Sequence, residues 1–245
     1  MSRVDIAHMD AIDWLHYPHP DRYRCMIADP PDAMGLKYQG FEDKISDEAY
    51  ECMLATVLSR GANLFDFMWL SINVKRVAML GHVTYEWQKM RPNWEFKPCV
   101  QTFTFGQHNH KDFGNNHRLL YRYQKTGATR YMDAVRVPSW RQLNGDKRAD
   151  PRGRVPGDVF DFARVTGNSK QRRAFSPTQL HEGLYERCIR SCCAKGDTVV
   201  DLFAGSGTLG RVAPRCGVDA LMLELSRETV DHILADQPET EEGHY

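Results

Sequence analysis

The run Arg24-Cys25-Met26-Ile27-Ala28 is apolar to its end and is then cut off by Asp29-Pro30-Pro31-Asp32. Proline fixes φ and has no amide hydrogen, so two in succession end any helix or central strand. The segment therefore reads as a buried strand running into a stiff turn, with a carboxylate on either side of the prolines. Apolar runs over 64–73, 197–203 and 218–225 read as further strands, and 119–123 as one more. Helical patterns lie between them. Residues 46–60 open with Ser46 as an N-cap, carry acids in the first turn and meet a stop signal at Gly61; 178–194 and 209–216 are also helical. Helices alternating with apolar strands predict an α/β fold with a doubly wound, mostly parallel sheet. Ligands of such sheets sit where strand C-termini open into loops.

At 245 residues the chain is long enough to bury its own core, and 42% apolar with 26% charged residues excludes a disordered chain. No apolar run approaches the ~18–20 residues that span a bilayer, and no apolar signal core follows Met1, so no membrane partner and a cytoplasmic location are expected. Seven scattered cysteines, an odd count, argue against a disulfide framework. Cys188, Cys192 and Cys193 are expected as reduced core thiols, and no metal site is expected because no fourth ligand stands at a convincing spacing. Trp87, Trp94 and Trp140 are expected in the core or at an interface. The formal net charge is zero, yet charge is segregated. Residues 141–173 hold nine Lys/Arg against four Asp, a net of +5, and 217–245 hold eight acids against Arg227, a net of −7. A basic segment inside a neutral chain is either the footprint of a polyanion or a solvated loop.

Two constellations carry chemistry. In Asp201-Leu202-Phe203-Ala204-Gly205-Ser206-Gly207-Thr208 a strand passes through a Gly-rich turn into a helix, and Gly205 and Gly207 permit close backbone approach to a ligand. The pattern is neither a Walker sequence nor the dinucleotide fingerprint. Glu224, about twenty residues on at the end of the next strand, is placed to accept hydrogen bonds from a ribose diol. In the second constellation, Ala28 to Asp32, the prolines fix the Asp29 carboxylate and the Pro30 carbonyl as acceptors facing a cleft. Such acceptors suit an exocyclic amine, because accepting its N–H bonds frees the nitrogen lone pair for attack on an electrophilic methyl.

Several stretches reinforce one another in order along the chain: His8-Met9-Asp10-Ala11, ADPP at 28–31, Ser176-Pro177-Thr178-Gln179, DLFAGSGT at 201–208 and Glu224-Leu225-Ser226. Together with VPSWRQLNGDKRADPRGR and the following FARVTGNSKQRR inside 137–173, they resemble the permuted, β-class S-adenosylmethionine-dependent DNA amino-methyltransferases, which modify adenine N6 or cytosine N4. The resemblance implies a circularly permuted Rossmann-like domain over 1–236: a catalytic half at 1–106, a DNA-recognition insert at about 107–175, a cofactor half at 176–236, and a frayed tail at 237–245.

It also implies roles. Asp29, Pro30, Pro31 and Asp32 would form the catalytic turn. The cofactor, S-adenosyl-L-methionine, would meet Asp10 near its adenine, Glu224 at its ribose, and Thr178 and Gln179 at its methionine end. Ala28, Asp201, Phe203, Gly205, Ser206, Gly207 and Thr208 would complete its site. The family's variable segment, which recognises DNA, falls on the basic window. By residue type the cluster Gln107-His108-Asn109-His110-Lys111 with His117, Arg118 and Arg122 is either exposed loop polarity or a set of contacts to phosphates and base edges. The residues expected on DNA are Tyr38, His110, Lys111, Arg118, Arg141, Lys147, Arg148, Arg152, Arg154, Arg172 and Arg173. The product would be N6-methyladenine in preference to N4-methylcytosine, the working unit a homodimer, and no restriction partner is inferable.

The departure from the family pattern lies at Asp32, where the family has an aromatic ring that stacks on a base flipped out of the duplex. A second carboxylate does not stack, and it adds negative charge near a nucleic acid unless a cation compensates. Three readings follow: Tyr38 or Trp69 supplies the ring, Asp32 reads the donor edge of an unusual base, or the protein is a weak or inactive DNA-binding homologue. A methyltransferase acting on RNA is the further alternative.

Overall fold

The computed structural model describes residues 2–20, 22–35, 37–38, 41–103 and 110–243, with 37–38 and 41–42 described by their backbone. Its strands are β1 (Val4–His8), β2 (Tyr23–Ala28), β3 (Lys37–Tyr38), β4 (Phe41–Glu42), β5 (Phe65–Ile72), β6 (Trp94–Thr102), β7 (His117–Lys125), β8 (Val159–Asp161), β9 (Thr198–Asp201), β10 (Asp219–Glu224) and β11 (Glu241–Glu242). Its α-helices are α1 (Ala11–His16), α2 (Asp47–Leu64), α3 (Val77–Met90), α4 (Trp140–Leu143), α5 (Glu182–Cys192), α6 (Thr208–Cys216) and α7 (Arg227–Asp236).

The main sheet runs β11-β1-β10-β9-β2-β5-β7-β6-β8. From β11 to β5 every neighbour is parallel, and β7 enters antiparallel between β5 and β6. At the centre β2, from the start of the chain, pairs with β9, from its last quarter, in the register Ile27↔Asp201. That pairing brings the turn after β2 beside the Gly-rich turn after β9, at the point where the order reverses. Successive residues of β2 point to opposite faces. Cys25 and Ile27 pack with Leu184, Ile189, Val212 and Ile233 of α5, α6 and α7. Met26 and Ala28 pack with Trp14, Leu54, Leu58 and Leu80 of α1, α2 and α3. Helices cover both faces, which is why these strands are apolar throughout.

Several elements depart from the sequence reading. α2 runs through Gly61 to Leu64, because this buried glycine allows close approach to β5: a Cβ there would stand 2.6 Å from Met68 Sδ. α5 begins at Glu182, with the His181 side chain accepting the Gly183 N–H as its cap. β6 was not foreseen, since charged residues and Pro98 mask its periodicity, and β7 is an inner strand of the sheet. The segment mounted outside the inner sheet therefore follows β7 and does not start at 107. Within it α4, a Val137↔Arg154 bridge and β8 give local order.

Residues 237–243, expected to fray, are docked. β11 pairs with β1, the Gly243 N–H donates to Ile6 O at 2.8 Å, Thr240 is buried, and the Gln237 amide donates to Gly207 O at 2.9 Å. Backbone pairing along the β1 edge supplies the order that composition did not suggest. Among the described residues no helix is long and apolar enough to cross a membrane.

Candidate active site

A cavity of about 290 Å³ opens at the C-terminal ends of β1, β2, β9 and β10; Asp10, Asp29, Arg118, Thr178, Phe203 and Glu224 are among its walls. Both halves of the chain build it, joined by the β2–β9 pairing.

On one side stands Glu224, the last residue of β10. Its Oε2 accepts the Gly205 N–H and its Oε1 the Ser226 N–H, both at 2.9 Å. Burial raises its pKa above the ordinary value, and these N–H bonds pull the other way. Asp10 caps α1, its Oδ1 accepting Ile12 N–H at 2.7 Å and Asp13 N–H at 3.1 Å. The register His8↔Glu224 sets β1 and β10 side by side, so the two acids share one edge of the cavity. Met9, Ile12, Phe203 and Leu225 add an apolar lining. Thr178 and Gln179 line the floor; the Gln179 amide is held by Arg173 N–H at 3.1 Å and Gln171 O at 2.7 Å. Ser206 and Thr208 also line the cavity, their hydroxyls 2.9 Å apart.

Three of the expected cofactor residues stand behind the wall. Ala28 is fully buried in the core. Asp201 is fully buried too, accepting Tyr185 OH at 2.9 Å and Phe203 N–H at 3.1 Å. Burial raises its pKa to about 7, against the pull of those two bonds. Gly207 adopts φ 68°, and a Cβ on it would meet Gln237 Nε2 at 2.5 Å. Its lack of a side chain serves the docking of residue 237, and its main chain does not line the cavity.

Across the cavity, Pro30 and Pro31 form the turn and Asp29 Oδ1 accepts Arg118 Nη2 at 2.7 Å. Burial lifts the Asp29 pKa above its ordinary value; Arg118 opposes this, and the charge of Asp32 adds to it. Asp32 is itself buried and its carboxylate is held by two residues, Asn73 and Arg118. It accepts Asn73 N–H at 3.0 Å, Asn73 Nδ2 at 3.4 Å and Arg118 Nη1 at 3.2 Å. Arg76 donates to the Asp32 and Ala33 carbonyls, and Asp43 takes the Ala33 and Met34 N–H groups at 2.8 and 3.0 Å. Burial works against the charge of Arg118, but Asp29 and Asp32 outweigh it and raise its pKa above the ordinary arginine value.

The expected DNA-contacting residues fall into three groups. His110, Lys111, Arg141, Lys147, Arg148, Arg152 and Arg154 are exposed, with Arg148 and Arg152 each forked onto the aspartate two residues before it. Arg172 and Arg173 are half-buried ties: Arg172 donates to Ser176 O, and Arg173 pairs with Asp236 at 2.6 Å. Arg118 stands apart from both of these groups, because two carboxylates hold it at the cavity. Tyr38 lies on β3, and its side chain is outside the described residues, as are residues 107–109. Trp69 is buried on β5 against Phe160, which removes it as a ring for the cavity. Trp87 and Trp94 pack edge to face in the core, whereas Trp140 is exposed. Cys25 joins Cys192 and Cys193 in a buried cluster, with Cys192 Sγ 3.6 and 3.7 Å from the other two sulfurs. None of the three lines the cavity.

Sequence reasoning found both turns but missed what braces them: Ser71, Asn73, Arg76 and Tyr185. Its one usable signal was the second acid of the turn, which demanded a cation.

A doubly wound sheet with an acid at the end of one strand, a Gly-rich turn beside it and Asp-Pro-Pro facing both defines a methyltransferase class of site. Comparison with known proteins agrees: the N6/N4 methyltransferase family model, described as DNA methylase, matches residues 23–235. The chain belongs to this family of DNA amino-methyltransferases. It is similar to the type II methyltransferase M.ScaI of Streptomyces caespitosus, 24% identical with 94% of this chain and 80% of that protein covered. It is also similar to the DNA adenine methyltransferase YhdJ of Escherichia coli K12, 24% identical over 92% of this chain and 79% of that protein. In fold it resembles the M1.HpyAVI–SAM complex, with a TM-score of 0.62 and 17% identity over 94% of this chain and 97% of that one.

Proposed function

We propose that this protein transfers a methyl group from S-adenosylmethionine to the N6 amine of adenine in DNA. The observation that carries the proposal is one cavity with Glu224 on one wall and Asp29 on the other, each at the end of a central strand. The residues present fit the cofactor. Glu224 offers a fixed carboxylate to a diol, Asp10 a second acceptor beside it, the apolar lining suits a flat base, and Thr178 and Gln179 face the far end. When bound, S-adenosylmethionine supplies an electrophilic methyl on a sulfonium.

This chain's own groups do the rest. Asp29 and the Pro30 carbonyl accept the amine's two N–H bonds, which orients the nitrogen lone pair toward the methyl. Attack from nitrogen expels the neutral thioether, and the extra proton on nitrogen leaves afterwards through Asp29 or water. Asp29 as first residue of the turn, with YhdJ among the relatives, supports adenine; cytosine N4 is the other chemistry the family name contains.

The exposed arginines and lysines of 141–154 are the surface proposed to track phosphates. Their small number suits a homodimer that combines two such surfaces. The cytoplasm is the compartment proposed, since DNA is the substrate.

Methyl incorporation from labelled S-adenosylmethionine into unmethylated genomic DNA, with nucleoside mass spectrometry, tests the reading. Expected is N6-methyladenine from the wild type and none from Asp29→Ala, with cofactor affinity in that variant within a few-fold. N4-methylcytosine instead corrects the base. Product from RNA but not DNA, or no product despite cofactor binding, overturns the proposal.

A further inference from the structure

Arg118 reaches the cavity with its hydrogen-bonding edge already occupied. Nε donates to Ser71 Oγ at 3.3 Å, Nη1 to Asp32 Oδ2 at 3.2 Å, and Nη2 to Asp29 Oδ1 at 2.7 Å and Asp32 Oδ1 at 3.4 Å. A guanidinium has five N–H donors in one plane, so four of them are spent within that plane. About a fifth of the side chain, 21%, is still exposed, and it lines the cavity beside Asp29. With four donors committed in the plane, what remains for a ligand is one N–H and the flat face.

Asp32 is built to hold that face still. Its carboxylate is fixed from behind by Asn73, and its main chain by Arg76. Among the described residues the aromatic side chains that line the cavity are Phe175, Tyr185 and Phe203, all at or beyond the start of the cofactor half; Tyr185 is bonded to Asp201, and Phe175 is stacked on His232 at 5.0 Å. The acid at position 32 thus exchanges a ring for a carboxylate that orients a planar cation.

We propose that the Arg118 guanidinium is the surface on which the target base stacks in this protein, with Asp32 as the residue that sets its plane. The proposal rests on the methyltransferase reading above. Guanidinium planes stack on unpaired bases, and the positive charge offsets Asp29 and Asp32 where a polyanion must approach. The base would lie along the guanidinium with its amine directed at the neighbouring Asp29.

Three variants test it: Arg118→Lys, which keeps the charge and loses the plane; Arg118→Met, which loses both; and Asp32→Tyr combined with Arg118→Met, which puts a ring at the turn. The readouts are kcat and KM for DNA, the pH midpoint of kcat, cofactor Kd and thermal melting. Expected for Arg118→Lys is a loss of at least tenfold in kcat/KM for DNA with the pH midpoint and cofactor Kd close to wild type. Arg118→Met loses at least as much, and the double variant recovers at least tenfold over Arg118→Met.

Full activity in Arg118→Lys means that charge alone suffices and overturns the stacking proposal. A double variant that melts like wild type and binds cofactor yet recovers nothing also overturns it. Failure of the functional reading is separate and visible beforehand, as a wild type that gives no Asp29-dependent product from DNA.

Discussion

The carboxylate of Glu224 accepts the main-chain N–H of Gly205 at 2.9 Å, so the acid at the end of β10 also ties down the Gly-rich turn. It has lone pairs left for two ribose hydroxyls. Charge-assisted hydrogen bonds contribute about 1.5–3 kcal/mol each, and about 1.4 kcal/mol is tenfold in affinity. Glu224→Ala is therefore expected to weaken S-adenosylmethionine binding by at least about tenfold. Titration calorimetry checks this, and an unchanged Kd removes Glu224 from the ribose. Because burial raises its pKa, wild-type affinity should also begin to fall at a higher pH than an ordinary glutamate would give.

Asp29 must be ionised to accept the amine's hydrogens, and its pKa is raised by burial. The acid limb of kcat should accordingly lie above the ordinary aspartate value of about 3.9, with activity lost as pH falls through it. Arg118 holds that pKa down, so Arg118→Met should move the midpoint to higher pH. A midpoint that is the same with and without the cation would show that the limb belongs to another group.

The two turns were legible because each is local: Asp-Pro-Pro after an apolar run, and glycines between a strand and a helix. Their partners were not. Asp32 meets Arg118 across 86 positions of sequence, through the antiparallel entry of β7 beside β5. Residue type alone made Arg118 a DNA contact, to phosphate or base edge, and only the register of β7 places it beside two carboxylates. β6 escaped notice because six of its nine residues, from Glu95 to Pro98 and at Val100 and Thr102, are not fully buried and blur the period-two pattern. β11 and the docked chain end depend on backbone pairing, which composition does not encode.

Gly207 gives a prediction opposite to the sequence reading. A ligand-contacting glycine replaced by alanine should lose cofactor affinity. Here the added methyl would strike Gln237 Nε2 at 2.5 Å and Ile233 Cγ2 at 3.0 Å, at φ 68°. A left-handed conformation costs a non-glycine residue about 1–2 kcal/mol before any clash. Gly207→Ala should lower stability by roughly 1–3 kcal/mol and Tm by several degrees, with cofactor Kd little changed. Gln237→Ala should recover part of the loss in the double variant, a coupling that two independent sites would not give. Loss of cofactor binding at unchanged Tm would return Gly207 to the cavity wall.

Asp201 sets a pH dependence of stability whose sign is unusual for an aspartate. Its pKa is about 7 when folded, against an ordinary 3.8. Between those values the folded state holds a proton that the unfolded chain has released, so stability is greatest below the unfolded pKa and falls as pH rises toward 7. The protonated acid keeps its bonds to Tyr185 and Phe203 without a charge beside Asp29 and Glu224. Each pKa unit is worth about 1.36 kcal/mol, so from about pH 5 to about pH 8 this group should remove on the order of 3 kcal/mol. Asp201→Asn has no proton to lose, and its urea-unfolding free energy should change less over the same interval. Parallel pH profiles for the variant and the wild type would mean that Asp201 is ionised in the folded protein, with a cation or water reaching it behind the cavity wall.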